Sequence, residues 1–266
     1  MWLDVLFLAV LQGLTEFLPI SSSGHLVIAF ALLGKLGRSV QAPISVNVAL
    51  HLGTLAATVG YFRRQLWEVI SRDWRTLLLV CWATVPAVVV GLPVRKWAEE
   101  ILENPWVAGV GLLITGALLV LSRHFGKGER NFRDLTWREA LVIGCFQALA
   151  LLPGISRSGS TIVGGMVCGL SPGEAAVFAF VMAVPVMLGA GVLEAAELAG
   201  RPGDSLPLFE LVLGAVTAGV VGWVAIAWLI QWVRKGRLML FAYWVFALGA
   251  GTLLWLLLEI GASARL

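Results

Sequence analysis

Six apolar stretches, near residues 42–62, 76–94, 105–122, 174–197, 208–232 and 238–259, limit what this chain can fold into. Each is long enough to cross a hydrocarbon core, which takes about 20 helical residues. A water-soluble domain could not cover that much apolar surface: 59% of the 266 residues are hydrophobic and 13% charged, with a mean hydropathy of +0.90. The expected class is an all-α polytopic membrane protein, because lipid leaves no other partner for the backbone of a chain without a closed barrel. Start signals agree. Asn104-Pro105 reads as an N-cap followed by proline, and Thr136–Glu139 and Ser171–Glu174 read as capping boxes. The N-terminal MWLDVLF has no basic region and carries Asp4, so no cleaved signal peptide is expected. Cys81, Cys145 and Cys168 have no metal-site or disulfide spacing and are expected to be small packed residues.

Two further apolar regions cannot be single spans. Residues 2–34 are interrupted by Pro19, Ser21, Ser22, Ser23 and Gly24, and residues 137–169 by Pro153, Gly154, Ser156, Arg157, Ser158 and Gly159. Irregular polar backbone survives at membrane depth only when protein or a water-filled cavity surrounds it. Both regions are therefore expected to be re-entrant helical hairpins, with second half-helices beginning around Gly24 and Gly159.

The two regions also match each other. Gln12 and Gln147 are 135 positions apart, and at that offset ISSSG (Ile20–Gly24) lies over ISRSG (Ile155–Gly159), Gly34 over Gly169, and GALLVL over GTLLWL. An internal duplication follows, with repeat one near 1–125 and repeat two near 136–262, inside one membrane domain spanning 1–266. Three crossings lie between the hairpins, so the repeats should insert with opposite topology. Charge supports this: Arg63–Arg75, Arg123–Arg138 and Arg234, Lys235 and Arg237 form three basic groups expected on the cytoplasmic side. The loops near 95–104 and 198–207, and both termini, would lie outside. The net charge of +3 is spread over short loops, which gives no sign of a nucleic-acid partner.

Opposed hairpins bring polar tips together at the midplane. The half-helix N-termini near Gly24 and Gly159 would then form an anion site. Gln12 and Glu16 share a helix face and could hold a divalent cation. Arg157 suits a phosphate and could also pair with Glu16. Ser21, Ser22, Ser23, Ser156, Ser158 and Thr161 supply hydroxyls, although such serines often only cap helices. His25 reads as a proton shuttle or nucleophile. His51 has a weaker functional signal, and Glu194, Glu197 and Glu210 are expected to be solvated. Together these residues point to lipid phosphate chemistry.

The motifs resemble those of a known family. Gln12 and Glu16 followed by PISSSGH look like one signature of the undecaprenyl-diphosphate phosphatases, the bacitracin-resistance family. PGISRSGST, Pro153–Thr161, matches the other. The resemblance implies hydrolysis of undecaprenyl diphosphate to undecaprenyl phosphate and inorganic phosphate, recycling the carrier of cell-wall synthesis in the bacterial inner membrane. It implies Glu16, Ser22, His25 and Arg157 as catalytic residues, with Ser22 or His25 as nucleophile and His25 oriented by Glu16. It implies a Mg2+ or Ca2+ ion near Gln12 and Glu16; Gln12, Ser21, Ser23, Gly24, Ser156, Ser158, Gly159 and Thr161, the polar and glycine residues of the two tips, are expected around the substrate. Glutamine at position 12 leaves a single carboxylate there, so the ion is easier to place bridging the diphosphate than on the protein alone. The implied partners are the lipid substrate and the bilayer, with a homodimer left open, and the site is expected to open to the periplasmic face. The alternative is a polyprenyl-phosphate transporter or flippase using the same anion site.

Overall fold

The computed structural model describes residues 2–35, 44–200 and 206–263. Among them the chain is all-helical, with only an isolated bridge between Arg130 and Leu170. Residues 42–43 of the first expected span, 201–205 of an expected outer loop, and the terminal residues lie outside the described residues.

The first hairpin is α1 (Trp2–Thr15), an elbow over 16–21, and α2 (Ser22–Lys35). Then come α3 (Ile44–Tyr61), α4 (Arg63–Arg72), α5 (Trp74–Trp97), a single turn α6 (Glu99–Leu102) and α7 (Pro105–Leu121). The second hairpin is α8 (Trp137–Leu149), an elbow over 150–156, and α9 (Arg157–Val167), followed by α10 (Pro172–Ala199), α11 (Leu208–Arg234) and α12 (Met239–Ser263). Five helices, α5, α7, α10, α11 and α12, are long and apolar enough to cross a bilayer. The expected span at 42–62 forms α3, 18 residues with Asn47, His51, Thr54 and Thr58 on it. At about 1.5 Å per residue it is roughly 27 Å long, close to the hydrocarbon thickness. The hairpin helices have 11 to 14 residues, about 16–21 Å, too short to cross alone.

The second half-helices start at Ser22 and Arg157, two residues earlier than expected. The cause is a pair of equivalent caps. Ser21 Oγ accepts from Gly24 N at 3.3 Å, and Ser156 Oγ accepts from Gly159 N at 3.1 Å. Of the other start signals, Thr136 and Glu139 make the full capping box. Asn104 accepts from Trp106 N. At Ser171 only half of the expected box forms: Ser171 Oγ accepts from Glu174 N, but the Glu174 carboxylate accepts from Phe132 N instead.

Each hairpin leans on a long helix from the other half: α1 packs along α11, and α8 along α5. α3 packs on α11 and α7 on α12. In lipid, association rests on close packing rather than on exclusion of water. The first elbow is anchored in this way by Phe17, fully buried against Phe180, which itself stacks on Phe62 with centroids 5.4 Å apart. The outward faces remain apolar, for example Val88–Val90 on α5 and Val212, Val216 and Val220 on α11. A surface of that kind suits lipid. Cys81 and Cys145 lie on these outer faces rather than packed inside.

The stretch 63–75, read from sequence as a basic loop, is mostly the helix α4. It is amphipathic: Val69 is buried, while the exposed Trp67, with Trp74 at the start of α5, is an aromatic of the kind expected at a membrane interface. The three basic groups meet at one end of the molecule. Arg75 donates to the carbonyls of Arg133 and Leu135, Arg133 pairs with Glu68, and Arg123 and Arg234 line one cavity. Arg130 makes a two-pronged contact with Glu139 (2.6 and 3.1 Å) and also donates to Cys168 O and Asp134 O, fastening this loop to the base of the second hairpin. Its guanidinium holds the Glu139 carboxyl down to about 2. A carboxyl depressed on folding contributes stability that is complete above its unfolded value, about 4.3, and is lost as pH falls through about 2. Thermal melts in detergent should therefore fall more steeply between pH 5 and pH 2 for the native chain than for Glu139→Gln. Parallel curves would remove this pair from the acid response.

Candidate functional site: a polar cavity between two elbows

The elbows touch. A Cβ on Gly24 would lie 2.7 Å from Gly154 Cα, so only glycine permits this approach. Gly154 itself has φ +87° and sits against the backbone of α7. Ser158 Oγ donates across the junction to Leu18 O at 3.2 Å. α7 braces the second elbow through one hydroxyl: Thr115 Oγ1 donates to Gly154 O at 2.7 Å and accepts from Ser156 N at 2.9 Å. Sequence reasoning missed Thr115, although a lone polar residue inside the apolar run GLLITGALLVL was a usable signal. Thr115→Val strands two buried backbone groups. It should cost about 2–4 kcal/mol, read as a lowered melting temperature that Thr115→Ser largely restores.

At this junction a cavity of about 160 Å³ is lined by Thr15, Glu16, Ser21, Ser22, Ser23, Ala150, Ile155, Ser156 and Arg157. Glu16, just past the end of α1, is its hub. One oxygen receives Arg157 Nη2; the other accepts from Gln12 Nε2 and from Ser22 Oγ, both at 3.1 Å. The pairing of Glu16 with Arg157 is thus present, and it does not displace the serine. Arg157 keeps Nη1 without a partner among the described residues. α2 and α9 both begin at this cavity, so their positive dipole ends converge on it. With Glu16 and Arg157 largely buried, their charges and the two helix ends are less screened than at an exposed surface.

The expected residues divide into two groups. Ser21, Ser22, Ser23, Ser156, Glu16 and Arg157 face the cavity, and Gln12 reaches it through Glu16. Gly24, Ser158, Gly159 and Thr161 do not line it. Gly24 and Gly159 pack the elbows together, Ser158 bridges them, and Thr161 donates to Arg157 O within its own helix. His25 is also elsewhere. Its Nδ1 donates to Ser21 O at 2.8 Å and its Nε2 accepts from Trp244 Nε1 at 3.0 Å. Carbonyls only accept and indoles only donate, so both imidazole nitrogens are engaged. The expected relay from Glu16 through His25 to Ser22 is not formed, because Ser22 reaches Glu16 directly.

A neighbouring cavity of about 180 Å³ shares Ser22 and Ser23 and adds Gln12, Asn47 and His51 to an apolar wall that includes Leu8, Leu26 and Phe30. His51 Nδ1 lies 2.8 Å from Glu194 Oε2. Glu194 is thus paired with a histidine of α3 rather than standing as a solvated end residue, a pairing invisible across 143 positions of sequence. As a cation site the elbow is poor. It offers one carboxylate with both oxygens engaged, and among the described residues no three His, Cys, Asp or Glu side chains converge.

Taken together, these features define a polytopic α-helical membrane protein with a polar cavity, lined by Glu16, Arg157 and four serines, between two helical elbows. Comparison with known proteins narrows this. A family model described as bacitracin resistance protein BacA matches residues 5–251. The chain is 43% identical over 247 residues to a protein of Rhodopirellula baltica named undecaprenyl-diphosphatase, covering 92% of this chain and 94% of that one. It is 35% identical to undecaprenyl-diphosphatase 3 of Bacillus cereus, covering 93% and 95%, and 36% identical to an undecaprenyl-diphosphatase of Corynebacterium efficiens, covering 98% and 92%. The chain belongs to the bacitracin resistance protein BacA family.

Proposed function

We propose that this chain is an undecaprenyl-diphosphate phosphatase, releasing undecaprenyl phosphate and inorganic phosphate and so recycling the lipid carrier of cell-wall synthesis. The names of its relatives support the substrate. The observation that supports the chemistry is the hydrogen bond from Ser22 Oγ to Glu16 Oε2 at the wall of a cavity shared with Arg157. Glu16 takes the Ser22 proton as Oγ attacks the terminal phosphorus. The anhydride P–O bond breaks, undecaprenyl phosphate leaves with the proton returned by Glu16, and a phosphoserine remains. Water then attacks that phosphorus as Glu16 accepts its proton; the Oγ–P bond breaks, Glu16 returns the proton to Ser22 Oγ, and inorganic phosphate departs. Arg157 Nη1 and the first N–H groups of α2 and α9 hold the phosphate oxygens as charge builds on them. His25 fixes the elbow through Ser21 and Trp244. The apolar wall beside Ser22 gives the prenyl chain a surface to lie on. The divalent cation implied by the resemblance, Mg2+ or Ca2+, would have to arrive on the diphosphate, whose oxygens supply the ligands that these side chains lack.

In this reading the basic end faces the cytoplasm and both termini lie on the periplasmic side of the inner membrane, toward which the site opens. The test of function is phosphate release from a short-chain prenyl diphosphate in detergent, where transport has no meaning. The expected result is steady release by the native chain and a loss of about 10³-fold or more in Ser22→Ala. No release by a folded native chain that still binds the lipid would overturn the phosphatase in favour of a transporter.

A further inference from the structure

At the basic end, away from the elbows, a cavity of about 290 Å³ lies between the ends of α7, α9, α10, α11 and α12. Arg123 and Arg234 line it, and no carboxylate does. Neither guanidinium has a side-chain hydrogen bond or ion pair among the described residues, and both arginines are exposed. Glu174, two residues from the lining Pro172, accepts from Phe132 N. The Arg234 stem passes over the start of α10: a Cβ on Gly173 would lie 3.2 Å from its Nε. The rest of the lining is largely apolar, with Met166, Val233, Leu238 and Met239.

Two uncompensated guanidiniums above an apolar floor, at helix ends where head groups lie, make up one recognisable chemistry. Guanidiniums grip phosphate oxygens in a fixed fork, and thioether and aliphatic side chains accept the upper acyl segments. Basic pockets between transmembrane helices hold anionic lipid head groups for the same reason. We propose that this cavity is a binding site for the phosphate of an anionic phospholipid, separate from the elbow site and independent of the reaction assigned there. The site also ties α7, α10 and α11 together, so an occupying lipid stabilises the basic end.

The test uses the purified full chain in neutral detergent with short-chain phosphatidylglycerol as the probe, read by native mass spectrometry. Arg123→Gln/Arg234→Gln is expected to bind the probe about thirtyfold more weakly, the effect of two cations at a membrane surface. Arg63→Gln/Arg64→Gln, which removes the same charge from α4, should change binding by less than about threefold. Phosphate release by the Arg123/Arg234 variant should match the native chain, which reports an intact fold. Equal weakening in both double variants, or none in the first, would overturn the site. Displacement of the probe by inorganic phosphate at equal concentration would overturn the lipid as its ligand. Should the double variant not fold, each single variant is expected to weaken binding about fivefold, and unchanged binding in both would equally overturn the site.

Discussion

Glu16→Gln is expected to lower phosphate release from a prenyl diphosphate by about 10²–10⁴-fold, the range for loss of a positioned general base. The amide keeps the shape of the carboxylate and can still accept from Ser22, but it cannot take the proton. Both Glu16→Gln and Glu16→Ala leave the Arg157 guanidinium without its counter-charge, a change that costs about 3–5 kcal/mol when one member of a buried pair is removed. Glu16→Ala should be worse in a second way, because it also removes the acceptor for Arg157, Gln12 and Ser22. Both variants should be inactive and melt below the native chain, with Glu16→Ala the lower of the two. A Glu16→Gln protein that retained activity within about threefold would exclude Glu16 as the base.

Gly154→Ala is expected to abolish the fold. A methyl group there would meet Ala108 O at 2.1 Å and Leu112 N at 2.7 Å, both in the backbone of α7, which has no flexible end to move aside. The residue also has φ +87°, a conformation that costs a side chain about 1–3 kcal/mol. Overpacking adds a similar amount, and the Thr115 bond to Gly154 O is lost as the elbow moves. Together these exceed about 3 kcal/mol, a large part of what a domain has. Size-exclusion chromatography and thermal melting in detergent provide the readout. A monodisperse Gly154→Ala protein melting within about 2 °C of the native chain would mean that the elbow does not dock on α7 in this way.

The reach and the limits of the sequence have physical causes. The long helices were legible because a bilayer imposes a minimum apolar length, and the hairpins because Pro19, Pro153 and their serines interrupt runs that lipid would otherwise accept. The meeting of Glu16 with Arg157 was foreseeable from the cost of each charge at membrane depth. What the sequence does not carry is which way a side chain points. His25 is expected at the reaction from its closeness in sequence to Glu16 and the serines and from the family resemblance; one turn into α2 its ring nitrogens meet Ser21 O and Trp244, a partner 219 positions away. Ser158 and Thr161 belong to the same motif as Arg157 and yet hold backbone carbonyls rather than the cavity. Helix α4 escaped notice because its apolar residues are spaced for an interface rather than a span. The His51–Glu194 pair joins two helices whose proximity no local pattern encodes.

The most direct measurement is the position of the label after a single turnover with a short-chain prenyl diphosphate carrying a radioactive terminal phosphate. Quenching in acid and in alkali, followed by peptide mapping, distinguishes the two nucleophiles by the opposite stabilities of their phosphoryl bonds. The expected result is an acid-stable label on Ser22 that is absent from Ser22→Ala and unaffected in His25→Gln. An alkali-stable, acid-labile label on His25 would contradict the serine route, and with it the chemistry built on the bond between Ser22 and Glu16.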